Sequence, residues 1–205
     1  MKGVFITFEG SEGSGKSTQA ALIYKYLKEK SRPALHIREP GGVKISEAVR
    51  RILLDVRNSQ MTKECETLLY MAARAQLVEE KVLPALKQGM VVLCDRFLDS
   101  TVAYQGYGNG VDINFIKDIG RMVTQGTVPD LTFLFDIETE KGLERTGQNK
   151  DRIELRSLNY HNRVRKGYLK LAQEEPGRIK VIKVNKSKEE IHALVKKDVD
   201  ALLGW

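Results

Sequence analysis

The feature that most constrains the fold is a glycine-rich segment close to the beginning of the chain. Residues 10–17 read GSEGSGKS, which fits the pattern G-x-x-x-x-G-K-[ST]. The apolar run GVFITFE (residues 3–9) precedes this segment, and a helical pattern follows it to about residue 30. In that context the backbone N–H groups of the loop surround a phosphate at the N-terminus of a helix. The sequence therefore predicts a strand, a phosphate-binding loop and a helix in direct succession.

The rest of the chain alternates short apolar runs with longer helical patterns, as in a parallel sheet that is covered by helices on both faces. Four more apolar runs predict strands, at residues 34–39, 90–95, 131–136 and 178–184. No repeat or linker divides the 205 residues. We therefore expect one α/β domain, residues 1–205, with a P-loop NTPase fold built on a five-stranded parallel sheet.

One segment breaks this alternation of strands and helices. Residues 144–156, ERTGQNKDRIELR, are polar and include a glycine, and no periodic apolar face appears before Leu155. In a P-loop protein, a polar segment between two helices predicts a lid that closes over the nucleotide. An ordinary solvated loop is the alternative interpretation.

The formal net charge of +7 bears on the choice of partner. Such an excess fits either a nucleic-acid surface or a site that holds two phosphate-bearing ligands together. The sequence lacks the interleaved basic and aromatic residues that are typical of single-strand binders. We therefore expect no nucleic-acid partner, and an ATP-dependent nucleic-acid-binding module is the less favoured alternative.

Other features favour a cytoplasmic location without a membrane partner. No apolar run approaches the roughly 18 residues of a spanning helix, and the N-terminal residues do not resemble a signal peptide. Cys65 and Cys94 lie outside any metal-ligand or redox spacing. We expect neither a disulfide nor a metal site from these cysteines.

The phosphate-binding motif assigns residues to the donor nucleotide. Lys16 is expected to bridge the β- and γ-phosphates, and the Ser17 hydroxyl to coordinate Mg²⁺. Asp95 ends an apolar run and is the expected metal partner of Ser17. Asp136 ends a similar run and is the alternative, with helix capping as its other role. The residues expected at the nucleotide are Gly10, Ser11, Glu12, Gly13, Ser14, Gly15, Lys16, Ser17 and Thr18.

Motifs of other P-loop proteins are missing from the sequence. A GTPase reads guanine with N-K-x-D, and the nearest match, NKSK at residues 185–188, lacks the aspartate. No D-x-x-G occurs either. The small size, the lid-like segment and the scattered arginines predict phosphoryl transfer to a second small phosphate ester.

Several segments together resemble the bacterial thymidylate kinase family. FITFEGSEGSGKSTQ, REPGG, LLYMAARAQ, VVLCDRFLDSTVAYQGYG and PDLTFLFD occur in the family's order and spacing, and the resemblance covers essentially the whole chain. It implies the reaction ATP + dTMP → ADP + dTDP with Mg²⁺, in dTTP biosynthesis, and a homodimer. Another nucleoside or nucleotide kinase is the alternative within enzymes.

Carried over residue by residue, the resemblance also implies a dTMP site. Glu12, the carboxylate inside the phosphate-binding loop, would face the acceptor sugar and accept a hydrogen bond from its 3′-hydroxyl. Arg50 and Arg96 would hold the dTMP phosphate, and Tyr70 would stack on thymine where family members often have Phe. Arg74 has donors only, so it suits thymine O4 rather than the amino group of cytosine. The other residues implied at this site are Glu39, Ser100, Thr101, Tyr104 and Gln105, with Tyr104 crowding the place of a ribose 2′-hydroxyl.

Members of this family carry the basic residues for the transfer either in the phosphate-binding loop or in the lid. The loop here has no arginine, whereas the lid contains Arg145, Lys150 and Arg152. The resemblance therefore implies that Arg145 binds ATP and that Arg152 acts on the moving phosphoryl group. The alternative makes Arg152 a solvated residue that pairs with Asp151 or Glu154. The implied catalytic residues are Glu12, Lys16, Arg96 and Arg152.

The resemblance implies no general base. The acceptor is a phosphate monoester, whose second pKa of about 6 leaves it largely dianionic at neutral pH. The task of such an enzyme is therefore to overcome repulsion between two polyanions and to stabilise charge on the transferred group.

Overall fold

A parallel sheet forms the centre of the molecule, for which a computed structural model describes residues 3–147 and 150–205. Gln148 and Asn149 of the expected lid lie outside the described residues. The strand order is β2-β3-β1-β4-β5, and all neighbouring pairs are parallel. The expected α/β fold is confirmed, with strands at β1 (Val4–Gly10), β2 (Ala34–Arg38), β3 (Val91–Asp95), β4 (Leu131–Asp136) and β5 (Ile179–Lys183).

The helices cover both faces of the sheet, as the alternating pattern predicts. A helical rod over residues 63–87 begins after Thr62, whose hydroxyl accepts a hydrogen bond from the backbone N–H of Cys65 at 3.2 Å. π-helical turns occur at Val78–Val82 and Val102–Gly108. None of the helices described is long and apolar enough to cross a membrane. The helices are α1 (Lys16–Glu29), α2 (Lys44–Leu54), α3 (Lys63–Leu77), α4 (Leu83–Lys87), α5 (Leu98–Thr101), α6 (Ile113–Val123), α7 (Thr139–Glu144), α8 (Leu158–Glu174) and α9 (Lys188–Leu203).

The central strand β1 is buried on both faces, which explains its nearly continuous apolar sequence. Ile6 and Phe8 face one side and pack among the apolar residues of α1 and α9. Phe5 faces the other side, where Val78 and Val82 of the long helical rod cover it. Each of these buried side chains contributes about 1.5–3 kcal/mol to folding. The loop that follows β1 is therefore anchored to a strand that is buried in the core.

Because all five strands are parallel, their carboxyl ends meet at one edge of the sheet. Ligands of open α/β sheets bind outside this edge, close to the point where the strand order reverses. Here the reversal lies at β1, since the chain moves from β1 to β2 and β3 on one side and later to β4 and β5 on the other. The phosphate-binding loop continues from β1 at this edge, and Asp95 and Asp136 are the last residues of β3 and β4.

Candidate active site

The phosphate-binding loop connects β1 directly to α1, as the motif predicts. Gly13 has a φ of 64°, and a Cβ atom there would lie 2.1 Å from the carbonyl oxygen of Gly142 in α7. A glycine is therefore required at this position. Helix α1 begins at Lys16 after Gly15, which supplies no side-chain cap. The first N–H groups of α1 have no partner within the helix and form an anion-binding site.

Lys16 folds back over this loop instead of extending into solvent. Its side chain is buried, with Nζ 3.4 Å from the carbonyl oxygen of Ser11 and 4.0 Å from Oε2 of Glu12. Burial is the main cause that lowers the pKa of Lys16 from its ordinary value, and the positive charge of the nearby Arg96 is the second. A phosphate bound in the loop would offset both effects, because it returns negative charge to the ammonium group.

Ser17 and Asp95 lie together at the beginning of α1. The Ser17 hydroxyl donates to Oδ2 of Asp95, while the buried Oδ1 of Asp95 has no hydrogen-bond partner among the described residues. Asp136 instead accepts two hydrogen bonds from Arg165, at 2.6 and 3.1 Å. This arrangement favours Asp95 over Asp136 as the residue that faces a metal.

Arg96 connects the loop to the rest of the site. Its Nη1 donates to the carbonyl oxygen of Gly10 at 3.0 Å, and its Nη2 donates to Oε1 of Glu12 at 2.8 Å. The same Glu12 oxygen accepts from the Tyr104 hydroxyl at 2.7 Å. Burial alone would raise the pKa of Glu12, but Arg96 and Lys16 outweigh it and lower this pKa to about 2. Glu12 is therefore an anion at neutral pH, held between two cations.

A second carboxylate, Glu9, lies beneath this pair and was missed by sequence reasoning. It is fully buried at the end of β1 and accepts from the backbone N–H of Phe97 at 2.7 Å, from Ser100 at 2.5 Å and from the Tyr168 hydroxyl at 3.0 Å. Burial, followed by the nearby Asp99, raises the pKa of Glu9 to about 7. The sequence feature that could have revealed Glu9 is a glutamate inside an otherwise apolar strand.

The loop opens into a cavity of about 240 Å³ that extends along the strand ends toward α2 and α3. Lys16 and Ser17 line one end of this cavity. Every residue that the resemblance assigned to dTMP lines it as well: Glu12, Glu39, Arg50, Tyr70, Arg74, Arg96, Ser100, Thr101, Tyr104 and Gln105. Of the residues expected at the donor nucleotide, Glu12, Lys16 and Ser17 line this cavity, so the cavity reaches the phosphate-binding loop. The other expected residues are not among its lining residues, namely Gly10, Ser11, Gly13, Ser14, Gly15, Thr18 and Arg145. Arg38, Leu54, Asp151, Ile153 and Glu154 are lining residues that were not predicted.

Arg74 is held rigidly in the wall of the cavity. Its Nε and Nη2 contact Oε2 of Glu39 at 2.8 and 2.7 Å, and Nη2 also donates to the carbonyl oxygen of Phe97. Among the residues described, Nη1 has only the thioether sulfur of Met71 as a partner, at 3.4 Å. A thioether is a weak acceptor, so Nη1 keeps a donor for a ligand in the cavity. The buried Oε1 of Glu39 has no hydrogen-bond partner among the residues described.

Arg50 occupies the corner of the cavity that is formed by α2. Its Nη1 donates to the carbonyl oxygen of Pro40 at 2.9 Å, and the side chain is half-buried. Arg38 and Arg50 both line the cavity, and burial, together with the charge of Arg38, lowers the pKa of Arg50. A dianionic group between them would relieve their repulsion.

The lid arginines lie in different places, and one of them differs from expectation. Arg145 is exposed at the end of α7, and its Cβ lies 3.0 Å from the position of a Cβ on Gly13. Arg152 is buried, with its Nε donating to the carbonyl oxygen of Leu53 at 2.8 Å and its Nη1 2.6 Å from Oε2 of Glu66. The buried Nη2 of Arg152 has no hydrogen-bond partner among the described residues, and the expected role of Arg152 in the transfer stays a prediction. The alternative, a solvated Arg152 that pairs with Asp151 or Glu154, is wrong, because Arg152 is buried and its partner is Glu66.

The comparisons with known proteins agree with this geometry. A family model described as thymidylate kinase matches residues 8–195. The thymidylate kinase of Clostridium novyi is 45% identical over 199 residues, covering 95% of this chain and 97% of the relative. The thymidylate kinase of Geotalea daltonii is 50% identical over 189 residues, covering 88% of both. The chain belongs to the thymidylate kinase family.

A solved thymidylate kinase has the same fold over its whole length. The crystal structure of the enzyme from Ehrlichia chaffeensis superposes with a TM-score of 0.81 at 33% identity, covering 98% of this chain and 99% of that one. The resemblance seen in the sequence is thereby confirmed. Besides the lining residues named above, the thymidylate kinase framework contains three buried residues that were not predicted, namely Glu9, Glu66 and Tyr168.

Proposed function

We propose that this chain transfers the γ-phosphoryl group of ATP to dTMP and releases ADP and dTDP, a step in dTTP biosynthesis. The observation that carries the proposal is the continuous cavity, which joins Lys16 and Ser17 at one end to Tyr70 and Arg74 at the other. Arg96 lies between these ends, so a group that passes from donor to acceptor stays within reach of its guanidinium. A cavity of this form suits two phosphate-bearing ligands placed end to end.

The donor end fits a Mg²⁺ ion as well as a nucleotide. Mg²⁺ keeps several waters and takes one or two protein oxygens together with phosphate oxygens. Ser17 and the unpartnered Oδ1 of Asp95 supply oxygens of this kind. When bound, the ion would neutralise charge on the β- and γ-phosphates.

The acceptor end fits a thymine deoxynucleotide. Arg74 offers its Nη1 donor to thymine O4, whereas the amino group at that position of cytosine would face a donor and be rejected. Tyr70 provides a half-buried ring for stacking on the base. Arg50 and Arg96 lie where the acceptor phosphate is expected, and the hydroxyl of Tyr104, fixed on Glu12, narrows the space beside the sugar.

In this mechanism the chain supplies position and charge. The acceptor phosphate needs no base, because it is largely dianionic at neutral pH. Arg96 and Lys16 place positive charge along the path of the phosphoryl group, and Glu12 keeps Arg96 in its orientation. The hydrogen bonds that Arg96 makes to Gly10, Ser100 and Tyr168 leave little reorganisation for the moment of transfer.

The two lid arginines take different roles in this proposal. Arg145 belongs to the donor side, because α7 packs directly on the phosphate-binding loop. Arg152 contributes to the transfer through the position of the lid, since its buried guanidinium ties residues 150–156 to α2 and α3. Lys150 is exposed at the start of the second described part of the lid.

We also infer a homodimer, in the cytoplasm. Helices α2, α3 and α6 pack side by side and expose large apolar side chains, namely Ile45, Ile52, Leu68, Phe115 and Met122. Exposed apolar residues on neighbouring helices are typical of an association surface. Cys65 and Cys94 are free thiols, which agrees with a reducing compartment. Sedimentation of the purified chain should give twice the mass of 23.2 kDa.

One experiment tests the proposed activity directly. ADP release is coupled to NADH oxidation and measured with dTMP, dUMP, dCMP, AMP and thymidine as acceptors. We expect dTMP to give the highest kcat/KM, with no turnover of thymidine, because thymidine brings no acceptor phosphate to Arg50 and Arg96. Preference for AMP or thymidine would indicate another nucleoside or nucleotide kinase. Salt-sensitive DNA binding without an acceptor preference would favour the nucleic-acid-binding alternative.

A further inference from the structure

Glu66 is a fully buried carboxylate on α3 that forms contacts with two separate parts of the molecule. Its Oε1 accepts from Nε2 of Gln105 at 3.0 Å and from Nδ2 of Asn109 at 2.8 Å. Its Oε2 lies 2.6 Å from Nη1 of Arg152 and 2.6 Å from Nη2 of Arg156. Each oxygen thus receives two donors, which is the full capacity of a carboxylate.

The position of Glu66 on its helix connects this cluster with the cavity. Glu66, Tyr70 and Arg74 are four residues apart along α3 and therefore share one face of the helix. Tyr70 and Arg74 line the base end of the cavity, as does Gln105. Glu66 therefore lies one turn below the expected thymine pocket.

Glu66 also decides which atom Gln105 presents to a ligand. A carboxylate accepts hydrogen bonds and donates none, so the Gln105 amide must turn its Nε2 toward Glu66. The oxygen of Gln105 is then the polar atom left for a base in the cavity. An acceptor at this place suits the N3–H group of thymine and opposes the N3 acceptor of cytosine.

The other oxygen of Glu66 holds the lid. The Nε of Arg152 also donates to the carbonyl oxygen of Leu53. The backbone N–H of Arg152 donates to the carbonyl oxygen of Leu54 at the end of α2. Arg156 donates to Oδ1 of Asn109 and lies 4.6 Å from the centre of the Tyr160 ring. Two guanidinium groups on one carboxylate repel each other once that negative charge is removed.

We propose that Glu66 is a positioning residue that couples the base pocket to the lid, an inference that rests on the proposed function. In this proposal the acceptor base contacts Gln105. Gln105, Arg152 and Arg156 all bind the Glu66 carboxylate. The lid segment that contains Arg152 forms part of the cavity wall. Binding of the correct base thereby favours the closed lid.

Glu66→Gln tests this coupling with little change in side-chain volume. A glutamine offers one oxygen and one NH₂ group, so whichever way it turns, two of the four donors face another donor. The charge that holds Arg152 and Arg156 together is lost in either orientation. Glu64→Gln is the matched control, because Glu64 is exposed on the same helix beside Lys63.

Calorimetry first establishes that the wild-type chain and both variants bind dTMP. Hydrogen exchange of the lid amides 151–156 is then measured with and without saturating dTMP. We expect dTMP to slow this exchange about tenfold in the wild-type chain and in Glu64→Gln, and less than about twofold in Glu66→Gln. The preference for dTMP over dCMP should also fall about tenfold in Glu66→Gln only, because Gln105 is free to turn. A wild-type chain that does not bind dTMP would overturn the proposed function.

If all variants bind dTMP and Glu66→Gln keeps both the lid protection and the base preference, the coupling is wrong. Should Glu66→Gln not fold, Arg156→Gln replaces it, because Arg156 is partly exposed and touches the same carboxylate. That variant should lose the dTMP-dependent lid protection while it keeps dTMP binding. Retained protection in Arg156→Gln would contradict the proposal equally.

Discussion

The two ends of the cavity are built in different ways. The donor end consists of one contiguous segment, residues 10–17, placed by a strand and a helix that are its immediate neighbours. The acceptor end is assembled from β2, α2, α3, the segment after β3 and the lid, which are far apart in the sequence. The donor end therefore depends on local backbone geometry, whereas the acceptor end depends on long-range ion pairs such as Arg74–Glu39 and Arg152–Glu66. We therefore expect substitutions at the two ends to have different effects.

The largest effect is expected at the donor end. Lys16→Ala should lower kcat by about 10³-fold while the fold stays intact, because it removes the charge that faces the β- and γ-phosphates. Steady-state kinetics and circular dichroism measure both quantities. Lys25→Ala is the control, since Lys25 is exposed on the same helix and pairs with Glu29 at 3.8 Å. A near-normal kcat in Lys16→Ala would contradict the assignment of this end of the cavity to the phosphoryl donor.

The next effect separates the two ends. Arg74→Lys keeps a positive charge beside the buried Glu39 but loses the planar fork and the Nη1 donor. We expect kcat/KM for dTMP to fall about 10²-fold, since a hydrogen bond of a charged group is worth about 1.5–3 kcal/mol. The KM for ATP should not change. Arg51→Lys, at an exposed arginine of α2, is the control, and a similar change in both KM values would show that Arg74 does not act at the base.

A third prediction concerns Glu9, the fully buried carboxylate at the end of β1. The pKa of Glu9 is raised from 4.5 to about 7, so the folded chain binds this proton more tightly than the unfolded chain. The resulting stability is fully present below pH 4.5 and is lost as the pH rises through 7. Between pH 5 and pH 7.5 the loss from this group amounts to about 2 kcal/mol.

Glu9→Gln cannot titrate and should lack this decline. Urea unfolding at several pH values measures the difference, with Glu29→Gln at an exposed position of α1 as the control. An equal decline in Glu9→Gln and in the wild-type chain would show that another group is responsible.

The smallest effect is expected at the exposed Arg145. Arg145→Ala should raise the KM for ATP about fivefold, the equivalent of about 1 kcal/mol for an exposed charge, and leave the KM for dTMP unchanged. Lys141→Ala is the control, because Lys141 is exposed on the same helix and pairs with Glu138 at 2.8 Å. If the KM for dTMP changes instead, α7 does not belong to the donor end.

The same contrast explains how much the sequence could predict. The strands and the loop at residues 10–17 follow from local patterns, and the structure places the strands within about one or two residues of the expected bounds. The resemblance to the family assigned the acceptor residues, and all of them line the cavity. Local patterns alone would not have found them.

Partners that are distant in the sequence were not predictable from either source. The resemblance assigned Arg152 to the moving phosphoryl group, and nothing in the sequence indicated that it is buried against Glu66 of α3. Glu9 looked like part of an apolar strand, and its three hydrogen-bond donors come from segments that approach it only in the folded chain. Such pairings depend on tertiary geometry, and the periodicity of residues along the sequence does not reveal that geometry.

The close contact between Gly13 and Gly142 limits the paths along which this active site can change by mutation. An arginine at position 13 would require both a left-handed backbone for a bulky residue and a Cβ within 2.1 Å of the Gly142 oxygen. A Cβ on Gly142 would in turn lie 2.5 Å from the carbonyl oxygen of Glu12. With this backbone, a side chain at position 13 therefore requires a displacement of α7, and α7 leads into the lid. Positions 13 and 142 thus constrain each other, and a variant at either one has to move the start of the lid.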